Sequence, residues 1–548
     1  MEERVKGPRN PLLAIIFVFA FAALGFSSAA NVYITPNGAS QGVCTTNPQT
    51  PAWFNNSSNW GSGSAQIGPG TTVTICGTFT GGAGATEFTF QGSGTSGSPI
   101  TLLFDTGTTL SAPYWSASNG AINISGRSYV TVNGQNTGII QNTANGDGLA
   151  NQQISTGIYG WACNNCTVEN LTIANIYIAI QNYSSPLGGT AVQMNAIFLT
   201  GQNWTISGNT IHDCGWCIYI PYQNGDTNVQ VFSNNIYHWD HAIMFAASGA
   251  YSCTAPCYIE HDNQIHDNIN WETAGCVYHL DGLHTFGTAG STMDGIYIYN
   301  EYYFGSLAGG CSSGFIFIEG GGSSTPSNAK NVYVWNNVAD ATGADSVNAN
   351  GWFGLFSASE SMNVFNNTML YKNAQDLTSC WSVGGKSGGN VVNNLTFENN
   401  VVNGCNVATS VPQIGALSGT TVIDHNFYGD GCFYSNNCFN WDGTFTGDFP
   451  SWKSTCSCDG NSLVSTYSGA LLNSDGSPKA GSPVIGAGIN LTSTATGYLA
   501  SLQNDTTKGN TRTPSARPQT GPWDIGAYLY GSGDPPPNPP TGLSAIVN

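Results

Sequence analysis

Hydrophobic and polar positions follow a short repeat through the middle of the chain. Two apolar residues flank a variable one, then come two polar residues, an Asn or an acid, and a further apolar residue. Trp204-Thr-Ile-Ser-Gly-Asn209-Thr-Ile is one copy, and a degenerate copy contains Asn170. The anchors recur at steps of 25, 28, 39, 36, 30, 33 and 26 residues, namely Asn209, Asn234, Asp262, Glu301, Asn337, Asn367, Asn400 and Asn426. Period-two alternation ahead of each anchor predicts short strands.

Repetition of this kind predicts a coil of short strands. Asn tolerates a left-handed backbone at a sharp bend, and its amide can bond to the neighbouring turn. No single rung buries its apolar face alone, so the array must fold as one solenoid. We therefore expect an all-β, right-handed parallel β-helix with an Asn ladder, long loops on one side and a short C-terminal closing segment. Glu301 and Asp262 are expected to replace Asn in the ladder.

A β-propeller or a β-sandwich is the alternative architecture. Propeller repeats are about 40 to 50 residues long and carry blade signatures that this sequence lacks. The irregular steps favour a coil whose loops vary in length.

At these residues the chain resembles the right-handed parallel β-helix proteins of the pectate-lyase-like superfamily. The repeat covers roughly residues 120 to 430. Val32-Tyr-Ile34 and Gly68-Pro-Gly70 look like the capped N-terminal rungs of secreted members. Ser482-Pro-Val-Ile-Gly-Ala-Gly488 and Trp523-Asp-Ile-Gly-Ala-Tyr528 look like the closing segment of bacterial members. The resemblance implies the fold, and these end motifs say nothing about catalysis.

The ends of the chain differ in composition from the repeat. Arg4, Lys6 and Arg9 precede an apolar run over residues 11–26 and small residues at 28–30, a pattern typical of a secretory signal peptide. We therefore expect a signal peptide at 1–30, the β-helix at 31–480 and its closing segment at 481–533. Residues 534–548 look like a Pro-rich linker and the start of a truncated fibronectin-III-like module. This organisation predicts a secreted or cell-surface protein.

The net charge of the chain limits the classes of molecule that it can bind. The 548 residues contain 12 basic and 31 acidic side chains, a formal net charge of −19. So few cations cannot easily neutralise nucleic-acid phosphates or an anionic membrane. We expect a polysaccharide substrate or a cell-surface glycan as partner, no nucleic acid, no membrane span after signal cleavage, and a monomer. The sequence requires no cofactor and indicates no metal ligands, although its excess of acids leaves Ca²⁺ open.

Sixteen cysteines in an exported chain predict disulfides. Zinc is the alternative, because Cys-x-x-Cys is also half of a zinc knuckle. Close neighbours are Cys163/Cys166, Cys214/Cys217, Cys253/Cys257, Cys432/Cys438 and Cys456/Cys458. We expect the last two to lie too close in sequence to bond comfortably with each other.

Histidines and acids concentrate in one window. Seven of the eight histidines lie between His212 and His284, each with an acid nearby. His212-Asp213 and His266-Asp267 follow a turn pattern that favours a structural role at the bend.

The segment from 278 to 286 is the strongest candidate for chemistry. It falls in the longest step, and strand alternation places Leu283 inward and His284 outward, beside Tyr219 and Met244. Register then puts Asp281 opposite either Asp240 or His241. Two carboxylates would raise one pKa, and an Asp–His pair would instead give an oriented base. We therefore expect a solvent-facing catalytic site of Asp240, His241, Asp281, His284 and Glu319.

Aromatic and polar neighbours of this segment are candidates for binding sugar rings. They are Tyr219, Trp239, Trp271, Tyr278 and His279. The alternative role of the aromatic residues is to fill a small core of the insertion itself.

The chain differs from the enzymes of the superfamily in its basic residues, and this difference bears on which reaction it can catalyse. Its polyuronate lyases usually use Lys or Arg as base, whereas only Lys330, Lys372 and Lys386 lie between residues 150 and 430. A glycosidase acting on neutral or weakly charged polysaccharide is therefore favoured over a lyase. The second hypothesis is a non-catalytic adhesion or glycan-binding rod, and the third a calcium-stabilised binder.

Overall fold

The computed structural model describes residues 31–145, 152–178, 194–247, 249–269, 271, 280–288, 290–306, 312–320, 328–342, 353–356, 358–371, 380–383, 392–405, 409–411, 417–429 and 438–531. The proposed signal peptide at 1–30 and the linker at 534–548 lie outside these residues. Within the described ranges, no helix is long and apolar enough to cross a membrane.

Short strands make up most of the described chain. In order they are β1 (Val32–Ile34), β2 (Thr72–Ile75), β3 (Thr78–Thr80), β4 (Phe88–Thr89), β5 (Ile100–Phe104), β6 (Thr109–Ala112), β7 (Ile122–Asn123), β8 (Val130–Asn142), β9 (Thr156–Gly160), β10 (Thr167–Ile176), β11 (Asn195–Leu199), β12 (Thr205–Ser207), β13 (Thr210–Pro221), β14 (Val229–Phe232), β15 (Asn235–Ala246), β16 (Ser252–Cys253), β17 (Tyr258–His261), β18 (Gln264–His266), β19 (Leu280–Gly287), β20 (Thr292–Tyr299), β21 (Tyr302–Phe304), β22 (Ser312–Gly320), β23 (Asn328–Trp335), β24 (Val338–Ala341), β25 (Phe353–Phe356), β26 (Ala358–Phe365), β27 (Thr368–Tyr371), β28 (Trp381–Val383), β29 (Val392–Glu398), β30 (Val401–Asn403), β31 (Thr409–Val411), β32 (Leu417–Asp424), β33 (Phe427–Gly429), β34 (Phe439–Trp441), β35 (Thr444–Thr446) and β36 (Leu463–Ser465).

Helices are short and peripheral to the repeat. They are α1 (Pro51–Phe54), α2 (Phe449–Cys456) and three 3₁₀ turns at Ser57–Asn59, Ser468–Ala470 and Gly497–Gln503.

The strands stack into three parallel ladders, which confirms the predicted parallel β-helix. The first ladder runs β1-β2-β5-β8-β10-β12-β14-β17-β20-β23-β26-β29-β32, and the second β3-β6-β8-β10-β13-β15-β18-β21-β24-β27-β30-β33-β36. The third runs β4-β7-β9-β11-β13-β15-β19-β22-β25-β28-β31-β34. Among the described strands, the antiparallel pair is β34 with β35 at the C-terminal end. Each rung thus contributes to three faces around a common core, and the long strands β8, β10, β13 and β15 each continue from one face to the next.

In-register stacking fills the core with columns of apolar side chains. In the third ladder one column consists of Ile158, Ile197, Ile218, Ile243, Leu283 and Ile316, all fully buried. Because each side chain is covered by the rungs above and below, the core is continuous along the coil.

An Asn ladder lies at the bend between the first and second ladders, as the repeat predicts. Asn337 Nδ2 donates to Asn367 Oδ1 at 2.9 Å, and Asn367 Nδ2 donates to Asn400 Oδ1 at 2.9 Å. Asn400 continues to Asn426 in the same way. Glu301 takes the expected place, with its backbone N–H donating to Asn337 Oδ1.

The prediction for Asp262 is wrong, because the ladder residue is Asn263. Asn234 Nδ2 donates to Asn263 Oδ1 at 2.9 Å. Asp262 instead adopts the left-handed bend (φ 59°) just before it. The error arises from Glu260, which occupies the inward position that an apolar residue holds in the other copies and lies opposite buried Val231. Without an apolar residue at this position, the sequence pattern places the ladder residue one position too early.

Two roles that the sequence assigned to one Asn are divided between consecutive residues. A left-handed residue precedes each ladder residue, at Gly208, Ser233, Asp262, Asn300, Asn336, Asn366, Asn399 and His425. The ladder residue that follows is buried and supplies the amide bonds.

Disulfides are confirmed over zinc wherever the described residues include a cysteine. The pairs Cys163–Cys166, Cys214–Cys217 and Cys253–Cys257 form as their spacing predicts. Cys456 and Cys458 also bond to each other, against expectation, at the end of α2 where Ser457 adopts a left-handed conformation. Cys44–Cys76 and Cys380–Cys405 join different rungs. Cys432 lies outside the described residues.

The C-terminal segment runs back along the bend that carries the Asn ladder. Ile489 bonds to the Asn399 amide, Asn504 accepts from Asn336 Nδ2, and Gly509 donates to the backbone carbonyl of Asn300. Farther along, Thr507 Oγ1 donates to the Asp262 carboxylate. The segment therefore covers the left-handed residues of successive rungs.

Candidate active site

The local strand pattern is interrupted where the candidate residues lie. Ala242 and Ile243 are consecutive, yet both pack in the interior core. His241 and Met244 flank this inward pair, and Met244 packs in a separate outer cluster with Phe198 and Tyr219. Two consecutive inward residues place their neighbours on the same outer side of the coil.

Glycine allows the next rung to repeat the interruption. Gly282 aligns with Ala242, and a Cβ added to Gly282 would lie 2.6 Å from the backbone oxygen of Phe315. Leu283 packs inward in the core, and Asp281 and His284 flank the pair. This arrangement brings two residues three positions apart onto one side of a strand.

Register decides between the two pairings left open by the sequence. His241 aligns with Asp281, and Met244 aligns with His284. The predicted inward position of Leu283 and outward position of His284, beside Tyr219 and Met244, are confirmed. The structure therefore brings an imidazole, rather than a second carboxylate, opposite Asp281.

Four of the predicted catalytic residues meet in one cluster, Asp240, His241, Asp281 and His284, which we call the His/Asp cluster. Asp240 Oδ1 lies 2.5 Å from His241 Nδ1. His241 Nε2 lies 3.6 Å from Asp281 Oδ2, and His284 Nδ1 lies 3.5 Å from the same oxygen. The two imidazole rings are nearly parallel, with centroids 5.5 Å apart.

The cluster is buried, whereas we expected it to face solvent. Its side chains are exposed by 4% for Asp240, 3% for His241, 0% for Asp281 and 6% for His284. Aromatic rings cover it: Trp216 lies 6.0 Å from the His241 ring, and Phe286 and Phe317 lie 5.0 and 5.1 Å from His284. A low-dielectric surrounding strengthens the electrostatic interactions among these groups.

Three other predicted site residues are only partly described or not described. Glu319 aligns with Phe286 in the register of β19 and β22, and its side chain lies outside the described residues. Tyr278 and His279 also lie outside them.

Trp239 and Trp271 do not offer free ring faces for a sugar. Trp239 is fully buried in the interior core. Trp271 is 7% exposed, stacks on Tyr177 at 3.9 Å and donates from Nε1 to the carbonyl of Cys214. Both tryptophans therefore pack in the main core.

Tyr219 lies on the outer side as predicted, within an aromatic strip that sequence reasoning missed. Its hydroxyl pKa is raised to about 12 by burial. We define the aromatic strip as Trp161, Tyr159, Phe198, Tyr219, Trp216, Phe286 and Phe317. Trp161 is 43% exposed, while Tyr159, Trp216 and Phe286 are half-buried.

Register was the signal needed to find this strip. Tyr159, Phe198 and Tyr219 occupy aligned positions in β9, β11 and β13. The repeat copies lie in the first ladder, and their spacing does not fix the register of Tyr159 and Phe198 in the third.

The pairs His212–Asp213 and His266–Asp267, for which the sequence favours a structural role, lie at bends. His212 stacks on Tyr237 at 4.8 Å, and Tyr237 stacks on His266 at 5.2 Å. Asp213 and Asp267 have left-handed backbones. Burial acts to raise the pKa of Asp213, but hydrogen bonds and charges from His212 and His238 outweigh it and lower that pKa.

A pair of acids lies inside the coil, apart from the His/Asp cluster. Glu260 accepts from the hydroxyl of Tyr258 at 2.9 Å, and burial raises its pKa to about 8. Burial, followed by the charge of Glu260, raises the pKa of Glu301 well above its ordinary value. Both carboxyls are fully buried and act as structural hydrogen-bonding groups.

The His/Asp cluster also contains a metal-ligand set. One donor atom from each of His241, Asp281 and His284 lies within 4.8 Å of the others. Two imidazoles and a carboxylate form a set that proteins use for transition metals.

Comparison with known proteins finds no matching family model and no matching curated protein. Among solved structures, the chain is similar to pectate lyase Pel9A at 15% identity and a TM-score of 0.28, over 92% of this chain and 97% of that one. It is similar to a PL6 family polysaccharide lyase from Pseudopedobacter saltans at 10% identity and a TM-score of 0.35, over 80% and 94%. A mannuronic acid specific family 6 lyase from human gut microbiota matches at 10% identity and a TM-score of 0.28, over 73% and 86%. TM-scores below 0.5 carry no argument about activity, and the parallel β-helix stands on this chain's own strand pairing.

Proposed function

We propose that this protein is a secreted, polysaccharide-active enzyme, glycoside hydrolase-like or lyase-like, that acts at the His/Asp cluster. The observation that carries the proposal is the convergence of two carboxylates and two imidazoles on the outer side of the third ladder. Burying ionisable groups costs several kcal/mol each unless they are paired, so packing alone does not account for four of them in one cluster. The described cysteines are all disulfide-bonded, which supports an extracellular location.

Asp240 gives His241 a defined orientation. With Asp240 accepting the proton on Nδ1, Nε2 is the basic nitrogen and points towards Asp281. An imidazole held in this way can take or deliver a proton at Nε2. Because His241 lies between the two carboxylates, Asp240 and Asp281 do not flank a sugar bond as paired glycosidase carboxylates do. The chemistry therefore centres on the imidazole edge and Asp281.

A neutral or weakly charged glycan suits the surroundings of the cluster. The scarcity of lysine and the absence of arginine between residues 150 and 430 leave little to bind a polyuronate. Partly exposed rings of the aromatic strip, Trp161, Tyr159, Trp216 and Phe286, provide apolar faces on which sugar rings can stack. The strip leads along the third ladder to the cluster.

A non-catalytic glycan-binding protein is the second candidate function. It is favoured by the burial of the cluster together with the exposed face of Trp161, which lies more than one rung from His241. In that case the cluster would serve stability and the aromatic strip would provide the binding surface.

A panel of neutral and acidic polysaccharides tests the two functions. The full chain, secreted with its disulfides, is incubated with each glycan, and new reducing ends and the absorbance of unsaturated uronates are measured. We expect reducing ends from a neutral glycan without the uronate signal. If a glycan binds without the release of new reducing ends, and Trp161→Ala abolishes that binding, the protein is a glycan-binding protein and not an enzyme.

A further inference from the structure

We infer that His241, Asp281 and His284 form a binding site for a divalent transition metal ion, Zn²⁺ in the first instance. The sequence alone indicates no metal ligands, and the repeat spacing gives no metal motif, because the three residues come from two rungs. Metal binding at this site does not depend on the proposed function, whereas a role of the metal in turnover rests on it.

The separations between Asp281 and the two histidines are close to those of a tetrahedral site. The Asp281 Oδ2 atom is 3.6 Å from His241 Nε2 and 3.5 Å from His284 Nδ1. Zinc bonds to imidazole nitrogen and carboxylate oxygen are about 2.0–2.2 Å long, which puts two tetrahedral ligands about 3.4 Å apart. The two imidazole nitrogens lie within 4.8 Å of each other, so one ion can contact all three donors once the two rings move towards each other by about an ångström.

Asp240 supplies the supporting contact that metal-bound histidines require. It holds Nδ1 of His241 at 2.5 Å, which fixes the tautomer with Nε2 as the donor to a metal. A carboxylate behind a ligating imidazole orients the ring and raises its basicity. At the bend, His212 and His238 both contact Asp213, but each does so through Nδ1 and on a different carboxylate oxygen.

The charge of the cluster also favours a cation. Asp240 and Asp281 are 4% and 0% exposed. A divalent ion bound by Asp281 would add positive charge next to both of these buried carboxyl groups.

The chemistry of the donors selects the class of ion. Nitrogen donors from imidazole suit zinc and its transition-metal neighbours, whereas Ca²⁺ and Mg²⁺ take oxygen ligands. The calcium ion left open by the acidic composition is therefore not the ion expected here. A bound transition metal would supply Lewis acidity beside the aromatic strip.

Metal content of the intact, disulfide-bonded chain tests this inference. Purified protein is stripped with a chelator, reloaded with Zn²⁺, freed of excess ion and analysed by mass spectrometry of the metal. We expect about one zinc per chain in the wild type and in the control His266→Gln, which changes a histidine at a bend. Asp281→Asn and His284→Gln should retain less than about a tenth of that amount, and Asp240→Asn should weaken zinc binding by about 10- to 100-fold.

Cobalt gives a readout that needs no variant. Metal-free wild type titrated with Co²⁺ should develop the visible absorption of a tetrahedral nitrogen and oxygen site, saturating at one equivalent. Wild type that takes up neither ion, or cluster variants that keep as much zinc as the control, would overturn the inference. Metal uptake without glycan cleavage would contradict the proposed enzymatic function but support the metal site. Glycan cleavage by the chelated, metal-free protein would show that the metal has no catalytic role.

Discussion

Asn263 donates from Nδ2 to Oε1 of Glu301 at 2.9 Å, so a carboxyl group takes a place within the ladder of Asn amides. Glu301 is fully buried, and its Oε2 atom has no hydrogen-bond partner in the described structure. The ladder therefore contains one position where an ionised side chain would be costly.

Glu301→Gln should stabilise the protein at neutral pH. The amide can accept from Asn263 as the carboxyl does, and it removes the cost of keeping a buried acid protonated. We expect a rise in Tm on the order of a few degrees at pH 7, measured by thermal unfolding. Glu360→Gln, at an exposed acid paired with Lys330, is the control and should leave Tm nearly unchanged. A lower Tm for Glu301→Gln would show that the carboxyl proton makes an essential bond.

Stability should fall as the pH rises from about 4.5 towards 8. Burial raises the pKa of Glu260 from its ordinary 4.5 to about 8. Across that interval the folded protein keeps a proton that the unfolded chain releases, so unfolding is favoured as the pH increases. Thermal unfolding of wild type and Glu260→Gln should diverge between pH 5 and 8, with the variant more stable at the upper end. Parallel curves would mean that Glu260 titrates normally.

Exchanging amide and carboxylate at neighbouring positions tests which residue belongs to the ladder. Asn263→Asp removes the donor to Val231 O and Glu301 and places a second acid beside Glu301, which should cost several kcal/mol. Asp262→Asn keeps a side chain that tolerates the left-handed bend and should cost less than about 1 kcal/mol. Urea denaturation measures both. A greater loss of stability for Asp262→Asn than for Asn263→Asp would show that Asp262 is the ladder residue, as the sequence predicts.

Asp281→Asn should abolish most turnover of a cleaved glycan while changing Tm by only a few degrees. The amide preserves shape but removes the negative charge facing His241 and His284. His212→Asn should change stability more than rate, because His212 bonds to Asp213 at a bend and stacks on Tyr237. Initial rates and melting curves of both variants decide this. Unfolding of Asp281→Asn, or full activity in it, would make the cluster structural.

Peptide mapping under non-reducing conditions should find Cys456 and Cys458 linked within one peptide and Cys380 linked to Cys405. Sixteen free thiols, or zinc released in proportion to thiols, would contradict the disulfide assignment. Reduction should lower Tm, since the links between rungs limit the unfolded chain.

The amino-acid sequence by itself determined the architecture of this protein. Asn at recurring bends and alternating apolar residues are local signals, and each copy reports the same rung, so Asn337, Asn367, Asn400 and Asn426 align without knowledge of the fold. Local spacing also predicted Cys163–Cys166 and Cys214–Cys217. It failed at Asp262, because Glu260 interrupts the apolar pattern and only the bonds from Tyr258 and Asn263 show that an acid lies inside.

Tertiary structure decided the composition of the site. Sequence reasoning brought His241, Asp281 and His284 near one another, but the choice of His241 over Asp240 as the partner of Asp281 required the register of β15 and β19. It could not show that Ala242 and Ile243 both point inward, which turns His241 outward and leaves Trp239 in the core. Burial of the cluster depends on rings contributed by Trp216, Phe286 and Phe317 from separate rungs. Contacts between rungs are set by stacking of the whole coil, and no local stretch of sequence encodes them.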